Sequence, residues 1–350
     1  MRTDPHRTAW KKIVVFRTDR LGDLILSFPV VEALKVSLPG AEIDLVVNPY
    51  TVPLANLQRN VSRVIADTHP TYRDLAALTQ FLKSQDYGLA IHLYPIPRLA
   101  LATFRAGVPV RVGTTYRYFS FLYNRRIRVH RRNAGMHERD LNLKLIEGIG
   151  IPVGPVTAGL EIPDRFREEV LRLLASKGID SSKETFAVLH PGSKGSSLNW
   201  PAEHFGQLGR GILNRGFPVV LTGSEEDRHV VDRVRTAMDG GAADLCGELG
   251  LEHLAALLSK AALVVANSTG PLHLADALGT KVIGLFSPYR SAAPHRWGPY
   301  GQPENVFVPD GVVCKRCTRD QCEMHNCLSM IRPETVLAKA LELLSPRPSR

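Results

Sequence analysis

The sequence has few cysteines, only five in 350 residues. A disulfide framework needs a dense, even set, so the small secreted domains built on one are excluded. Apolar runs of membrane-spanning length are also absent. The basic N-terminus, residues 1–12, is not followed by the apolar stretch that a signal peptide requires. We therefore predict a cytoplasmic protein.

The positive charge is unevenly spread along the chain. The formal net charge is +10, yet residues 98–139 alone hold ten arginines and one acid, a net charge of +9. The whole chain is 44 % apolar and 22 % charged, which is typical of soluble globular proteins. We expect a sizeable core and one strongly basic segment.

Short β-branched runs alternate with helical patterns, which is typical of parallel βαβ units. The pattern weakens over residues 150–185, where proline and glycine are frequent, and 350 residues exceed the usual size of one core. We predict two α/β domains, 1–165 and 166–332, with residues 333–350 either on the second or crossing back to the first. The predicted strands are 13–16, 43–47, 89–93, 186–190, 218–223, 263–266 and 281–286, and the predicted helices include 71–84, 202–216 and 225–238.

One loop of the second half has the composition of a phosphate site. The strand 186–190 leads into "PGSKG", where Ser193 and Lys194 stand between glycines. The backbone N–H groups of such a turn can wrap a phosphate, with lysine as the cation. The alternative is an ordinary strand-to-helix turn.

A second loop, "NSTGPLH", joins the strand 263–266 to a helix. Either Ser268 or Thr269 is the expected N-cap, followed by Gly270, Pro271 and His273. A helix start without an acid suits an anion, because free N–H groups and the positive end of the dipole face it. The alternative is a capped core helix with an incidental histidine.

A third loop, "TGSEEDR", ends another strand of the same half. Glu225 or Glu226 could accept hydrogen bonds from a ribose there, as acids do in dinucleotide folds. The alternative places both glutamates in the first turn of a solvated helix.

The corresponding loop of the first half, "RTDRLGDLILSFP", carries an acid where a phosphate would otherwise bind. Asp23 follows the first strand at the start of a helical pattern, and Pro29 must start or kink that helix. By itself this position is typical of a plain helix N-cap.

Three segments together resemble glycosyltransferase family 9, the lipopolysaccharide heptosyltransferases, over nearly the whole chain. They are "RLGDLILSFPVVEALKVSLPGAEIDLVV", "LHPGSKGSSLNWPAEHFGQL" and "ANSTGPLHLADALGTKVIGLFSP". The resemblance implies a GT-B fold, with two Rossmann-like, doubly wound parallel-sheet domains facing across a cleft. Residues 1–165 would then bind the acceptor, residues 166–332 would bind the nucleotide sugar, and the last helix would cross back.

The resemblance also implies an inverting, metal-independent transfer of a heptose from an ADP-activated donor to the inner core of lipopolysaccharide. Asp23 matches the proposed base, and Thr269, Gly270 and His273 match the phosphate-binding motif. Two positions depart from the family pattern, since Leu198 replaces a common lysine and Ser268 an aspartate, and Lys194 is the candidate replacement for the lost charge. No Asp-x-Asp pair occurs in the sequence, which favours the metal-free route.

The basic segment predicts an anionic partner. Arginines mixed with aromatic residues fit the carboxylates and phosphates of a membrane-anchored saccharide at the cytoplasmic face of the inner membrane. A solvated loop and a nucleic-acid surface are the alternatives, and we expect no nucleic acid. The candidate acceptor-binding residues are Arg20, Arg117, Arg125 and Arg126.

Four cysteines cluster near the C-terminus with the spacing C-x2-C-x4-C-x4-C, and a structural zinc or iron–sulfur cluster is one interpretation. Free thiols are the alternative, and Cys246 fits a core position. No cofactor is expected for catalysis. The four residues are Cys314, Cys317, Cys322 and Cys327.

Two other functions fit the same fold. A sugar-nucleotide epimerase would need acids placed to remove a sugar proton, and a non-catalytic protein would only bind a nucleotide sugar. Asp23 discriminates between these functions, because only the transferase needs it as a base toward an acceptor hydroxyl.

Overall fold

The computed structural model describes residues 10–67, 74–131, 135–195, 197–289, 292–312 and 326–345. The chain divides into two compact units, Met1–Glu161 and Ile162–Arg350. Each unit contains one six-stranded parallel sheet with helices. The predicted class, two Rossmann-like α/β domains, is therefore confirmed.

The first unit is built on an all-parallel sheet. Its strands are β1 (Lys12–Arg17), β2 (Glu42–Val47), β3 (Arg63–Ala66), β4 (Leu89–His92), β5 (Val110–Thr114) and β6 (Arg125–Ile127). They are ordered β3-β2-β1-β4-β5-β6. The central strands β1 and β4 are buried, as strands covered on both faces must be.

Short helices connect these strands. They are α1 (Leu21–Ile25), α2 (Phe28–Ser37), α3 (Val52–Ala55), α4 (Leu75–Ser84), α5 (Pro97–Arg105) and α6 (Glu138–Glu147). Val14 and Phe16 of β1 pack with Leu78 of α4 and Leu99 of α5, while α2 packs against α6. Pro29 lies in the first turn of α2, so the expected single helix is divided into α1 and α2.

The second unit repeats the plan. Its strands are β7 (Ala187–His190), β8 (Val219–Leu221), β9 (Ala243–Asp244), β10 (Leu263–Asn267), β11 (Val282–Leu285) and β12 (Val306–Phe307). They are ordered β12-β11-β10-β7-β8-β9, all parallel. Its helices are α7 (Asp164–Ser176), α8 (Ala202–Leu213), α9 (Arg228–Ala237), α10 (Leu251–Lys260), α11 (Gly270–Ala277), α12 (Pro294–Trp297) and α13 (Pro333–Leu344).

Both sheets have the same strand order, with the first and fourth strands of each unit side by side. In such sheets the order reverses between these two strands, and ligands bind outside their carboxyl ends. In the first unit the adjacent strands are β1 and β4; in the second they are β7 and β10. The loops that follow β1, β7 and β10 are the ones that the sequence singles out.

The last helix, α13, belongs to the core of the second unit. Val336, Ala340 and Leu344 are buried in the same cluster as Trp200 and Phe205. The indole Nε1 of Trp200 donates a 3.0 Å hydrogen bond to the Ile331 carbonyl just before α13. Of the two positions left open for this helix, the structure has the one on the second unit.

Several predicted boundaries are wrong. Residues 150–185 are not uniformly irregular, because α7 occupies Asp164–Ser176. The pattern at 225–238 begins as a 3-10 turn, Glu225–Asp227, before α9. The helix expected at 71–84 begins at Leu75, because Asp74 is its N-cap and accepts from the Ala76 N–H. Among the described residues, none of the helices is long and apolar enough to span a membrane.

Candidate active site

Asp23 lies in the first turn of α1, three residues after the N-cap. The N-cap is Arg20, whose side chain makes no capping hydrogen bond. The alternative interpretation of Asp23 as the N-cap is therefore wrong. Its carboxylate instead accepts a hydrogen bond through Oδ1 from Nη2 of Arg17, the last residue of β1. The side chain of Asp23 keeps 17 % of its surface exposed.

Arg17 is the buried centre of this part of the first unit, only 2 % exposed. Its Nε donates to Oδ1 of Asp19 at 2.7 Å, while Nη2 donates to Asp23. On the other side, Nη1 donates to Oε1 of Glu138 at 3.3 Å and to Oδ1 of Asn142 at 3.1 Å. One guanidinium therefore contacts three carboxylates and an amide.

Helix α6 supplies the far side of this cluster. Glu138 and Asn142 are completely buried on consecutive turns. Arg131 donates from Nε to Glu138 at 2.7 Å and from Nη2 to Asn142 at 2.7 Å. The Asn142 amide also donates to the Leu26 carbonyl at 3.1 Å, which links α6 to the end of α1. The predicted base is thus held from two directions.

The cluster changes the protonation equilibria of its members. Burial opposes the charged form of Arg17, but Asp19, Asp23 and Glu138 outweigh it and raise the pKa of Arg17. Burial raises the pKa of Asp19 to about 6, against the opposing effect of Arg17. Asp19 thus has the least favourable environment for a carboxylate in this loop.

In the second unit, Asn267 joins the two predicted phosphate loops. This residue ends β10 and is fully buried. Its amide nitrogen donates to the Pro191 carbonyl at 2.8 Å, and its Oδ1 accepts from the backbone N–H of Trp200 at 2.9 Å. The loop after β7 and the start of the loop after β10 are therefore held together at the carboxyl edge of the sheet.

The loop after β7 has a strongly turned backbone. Lys194 has φ +45° and Gly195 φ +74°, both in the left-handed region. Ser193 is buried and donates to the Ser197 carbonyl at 3.0 Å. The Lys194 side chain is 57 % exposed, with its Nζ 3.6 Å from a carboxylate oxygen of Glu226. Successive turned residues of this kind orient backbone N–H groups into an anion-binding concavity.

Asp227 supports that loop from the end of β8. Its Oδ2 accepts from the backbone N–H and the hydroxyl of Ser224, at 3.0 and 2.7 Å. A Cβ on Gly192 would lie 2.2 Å from Cγ of Asp227, so only glycine fits there. The sequence pointed to Glu225 and Glu226, which are exposed, and missed the buried Asp227 beside them.

The loop after β10 starts α11. Thr269 is the backbone N-cap, but its hydroxyl donates to the Asn267 carbonyl at 3.1 Å and does not cap the helix. Gly270 and Pro271 are the first helical residues, as predicted. Ser268 is half-buried and His273 is buried, its ring 6.4 Å from that of Trp297.

The arginines proposed for the acceptor are spread over the first unit. Arg20 is exposed beside α1. Arg125 and Arg126 lie on the edge strand β6, three strand positions from β1, and Arg117 is exposed in the loop before it. Arg131 is the member of the basic segment that reaches the Arg17 cluster.

The cysteine cluster cannot be placed as a whole. Cys314, Cys317 and Cys322 lie outside the described residues, whereas Cys327 is buried in a 3-10 turn. Within the described ranges, no group of three or more histidine, cysteine and acidic side chains is arranged to hold a metal. The proposed structural metal stays a prediction. Cys246, in contrast, lies in the core of the second unit.

Two Rossmann-like units, each with a six-stranded parallel sheet, are typical of the GT-B fold of glycosyltransferases, and comparison with known sequences agrees. The sequence model of glycosyltransferase family 9 (heptosyltransferase) matches residues 75–328. The chain therefore belongs to glycosyltransferase family 9, and glycosyl transfer is its class of reaction.

Individual relatives are similar over their whole length. Lipopolysaccharide heptosyltransferase 3 of Escherichia coli K12 is 26 % identical over 336 residues, 92 % of this chain and 95 % of the relative. A family 9 glycosyltransferase of Veillonella parvula has a TM-score of 0.85 at 22 % identity, covering 96 % of this chain and 97 % of its own. The E. coli heptosyltransferase WaaC, solved with ADP, has a TM-score of 0.72 at 21 % identity and covers 95 % and 99 %.

Asp19→Asn is expected to raise the stability of the protein at neutral pH. The pKa of Asp19 is raised on folding, so its contribution to stability is complete below about pH 4 and is lost as pH rises through about 6. A neutral amide avoids that loss, worth about 3 kcal/mol above pH 7. Urea unfolding at pH 7.5 and at pH 4.5 measures the difference, which should shrink at the lower pH.

Asp180→Asn is the control with the opposite sign. Hydrogen bonds from Ser182 and Lys183 lower the pKa of Asp180 to about 2, so this variant should lose stability at neutral pH. An Asp19→Asn protein that is less stable than the unmodified chain at pH 7.5 would contradict the prediction that ionised Asp19 lowers the stability of the folded protein.

Proposed function

We propose that this enzyme transfers a heptose from an ADP-activated donor to the inner core of lipopolysaccharide, with inversion and without a metal in the transfer step. The observation that carries the proposal is the match to the heptosyltransferase family together with an acid on the β1 loop and phosphate-type loops after β7 and β10. The E. coli relative is called a lipopolysaccharide heptosyltransferase, and WaaC was solved with ADP.

The second unit is proposed to bind the donor. Backbone N–H groups of the Ser193–Gly195 turn and the start of α11 would contact the diphosphate, with Lys194 and His273 nearby as polar side chains. β8 neighbours β7, and an acid after that strand is where a ribose is held in dinucleotide folds. Glu225 and Glu226 are exposed there.

The first unit is proposed to supply the base. Asp23 uses Oδ1 toward Arg17, and its Oδ2 accepts no hydrogen bond from the described residues. In an inverting step Asp23 removes the proton of the acceptor hydroxyl while that oxygen attacks the anomeric carbon. The bond from this carbon to the diphosphate breaks, and ADP leaves with the electron pair. Donors fixed on the phosphates would stabilise that charge, by about 3 kcal/mol each.

Asp23→Asn is expected to lower kcat by two to four powers of ten, roughly the contribution of general-base catalysis. Donor affinity should stay nearly unchanged, because the donor is assigned to the other unit. Product formed from ADP-heptose and a truncated lipopolysaccharide, analysed by mass spectrometry, measures turnover, and calorimetry with ADP measures binding.

Asp67→Asn is the matched control for Asp23. Asp67 is also in the first unit, is 12 % exposed and pairs with Arg98 at 2.6 Å. Its variant should keep normal turnover. Normal turnover in Asp23→Asn would instead refute the assignment of Asp23 as the base. If the unmodified protein transfers no activated sugar, that result would favour a binding protein.

Gly192→Ala is expected to weaken ADP binding about tenfold or more, since overpacking costs about 1–3 kcal/mol. The added methyl group meets Asp227 and must displace the Ser193–Gly195 turn. Gly301→Ala is the control, because a Cβ there has only an ordinary contact of 3.5 Å with Asp276. Equal ADP affinity in both variants would contradict the donor site.

The loop between β5 and β6 is proposed to face the anionic, lipid-linked acceptor and the membrane surface. Tyr118 is 83 % exposed and Phe121 is 71 % exposed, while Arg117 and Arg126 on the same segment are exposed too. Exposed aromatic rings among arginines suit the interface of an anionic bilayer. We therefore propose that the enzyme acts at the cytoplasmic face of the inner membrane.

Arg117→Gln and Arg126→Gln are each expected to weaken binding to phosphatidylglycerol vesicles about fivefold, the equivalent of about 1 kcal/mol per charge. Co-sedimentation with these vesicles and with neutral phosphatidylcholine vesicles measures the effect. Arg172→Gln is the control, an arginine 73 % exposed on α7 of the second unit. Binding that is equal in all three variants, or equal for both lipids, would refute the surface.

A further inference from the structure

Arg17 has no assigned role, although it is only 2 % exposed and donates directly to the Asp23 carboxylate. We propose that Arg17 is the positioning residue for the base: it fixes the Asp23 carboxylate, and Glu138 and Asn142 of α6 in turn fix Arg17. This inference rests on the proposed function, because it gives Arg17 its effect through Asp23.

The Arg17 guanidinium donates hydrogen bonds in two directions, to the β1 loop and to α6. Nε and Nη2 hold the loop side, Asp19 at 2.7 Å and Asp23. Nη1 holds the helix side, Glu138 at 3.3 Å and Asn142 at 3.1 Å. A planar fork with fixed donors sets direction as well as distance, which a lysine ammonium does not. The Asp23 carboxylate is thereby oriented relative to α6.

The residues on the helix side are themselves buried and hydrogen-bonded. Glu138 and Asn142 are both fully buried, and each also accepts a hydrogen bond of 2.7 Å from Arg131. The Asn142 amide donates to the Leu26 carbonyl, and Ser27 donates from its hydroxyl to the Asp23 carbonyl at 2.8 Å. The backbone and the side chain of Asp23 are therefore both tied to the same support.

The charge balance also fits a positioning role. A dedicated one-to-one partner would stabilise the ionised carboxylate strongly and make Asp23 a poorer base. Here Asp19 and Glu138 share the same guanidinium, so its charge is divided among three carboxylates. The arrangement holds Asp23 in place without giving it the whole of a buried positive charge.

A purely structural role would not require an ion cluster. Buried ion pairs are often no more stabilising than apolar side chains of similar volume, because desolvation offsets their attraction. The cluster lies at the carboxyl end of β1, next to the reversal of strand order, where ligands of this fold bind. The position of this cluster and its charged residues therefore both indicate a role in the chemistry of the β1 loop.

The test uses Arg17→Ala and Arg17→Lys in the full-length enzyme, with kcat and donor KM measured separately. A misplaced catalytic group costs about 10²-fold, so kcat should fall about 10²-fold in Arg17→Ala with an unchanged donor KM. Arg17→Lys should recover only part of the loss, because it restores charge without the fork. Added guanidinium should restore kcat in Arg17→Ala, whereas sodium chloride of equal ionic strength should not.

Arg63→Ala is the matched control in the same unit. Arg63 donates to Asp44 at 2.6 Å and to the Tyr87 hydroxyl at 3.1 Å, and this arginine takes no part in the proposed machinery. Arg63→Ala should keep kcat and show no response to guanidinium. Glu138→Gln, a change of charge without change of shape, gives a second variant should Arg17→Ala fold poorly, and it should lower kcat with an unchanged KM.

The double variant Arg17→Ala/Asp23→Asn separates this inference from the proposed function. If Arg17 acts through Asp23, the double variant should be no slower than Asp23→Asn alone. The positioning role would be overturned, and the base left intact, if the kcat losses of the two single variants multiply in the double variant. The same conclusion would follow if Arg17→Ala has a normal kcat while Asp23→Asn is inactive. Normal turnover in Asp23→Asn would instead overturn the base, and the positioning role with it.

Discussion

The guanidinium of Arg17 is the contact on which the first unit's functional loop depends. Arg17 is the last residue of β1, so the strand fixes its position, and the residue is almost fully buried. A buried charge is costly unless it is paired and hydrogen-bonded, and its partners come from the loop and from α6. The same pairing that makes burial tolerable connects the β1 loop to a helix more than a hundred residues later. The conformation of the β1 loop and the packing of α6 therefore depend on the same hydrogen bonds of Arg17.

The second unit supports its loops in another way. The Asn267 side chain ties its two loops together by hydrogen bonds to backbone groups, and the Asp227 carboxylate accepts a hydrogen bond from the Lys194 N–H at 3.5 Å. The start of α11 carries no acid in its first turn, in contrast to α1, which carries Asp23. Two sheets with the same strand order therefore differ at equivalent edges, because one helix start carries an acid in its first turn and the other carries none.

The sequence was sufficient to predict the fold and the loops after β1, β7 and β10. It was insufficient to predict the buried residues that support those loops. Short β-branched runs and strand-loop-helix order depend on neighbouring residues, so the β1, β7 and β10 loops were predictable. Glu138 and Asn142 were not, because their link to Arg17 spans more than 120 positions and leaves no local pattern. Asp227 was missed for another reason. Three acids in a row are equivalent in a sequence, and only the 3-10 turn decides which one is buried.

The departures from the family pattern become intelligible in the same terms. Leu198, which replaces a common lysine, is half-buried and packs against the apolar core of the second unit. Lys194 is then the one cation in "PGSKGSSLNWP", and it stands on a left-handed backbone that turns its long, exposed side chain toward Glu226. A surface pair of that kind is weak, about 0–1 kcal/mol, and is readily exchanged for a phosphate with more negative charge. Lys194 is therefore our proposed source of the charge that Leu198 does not supply.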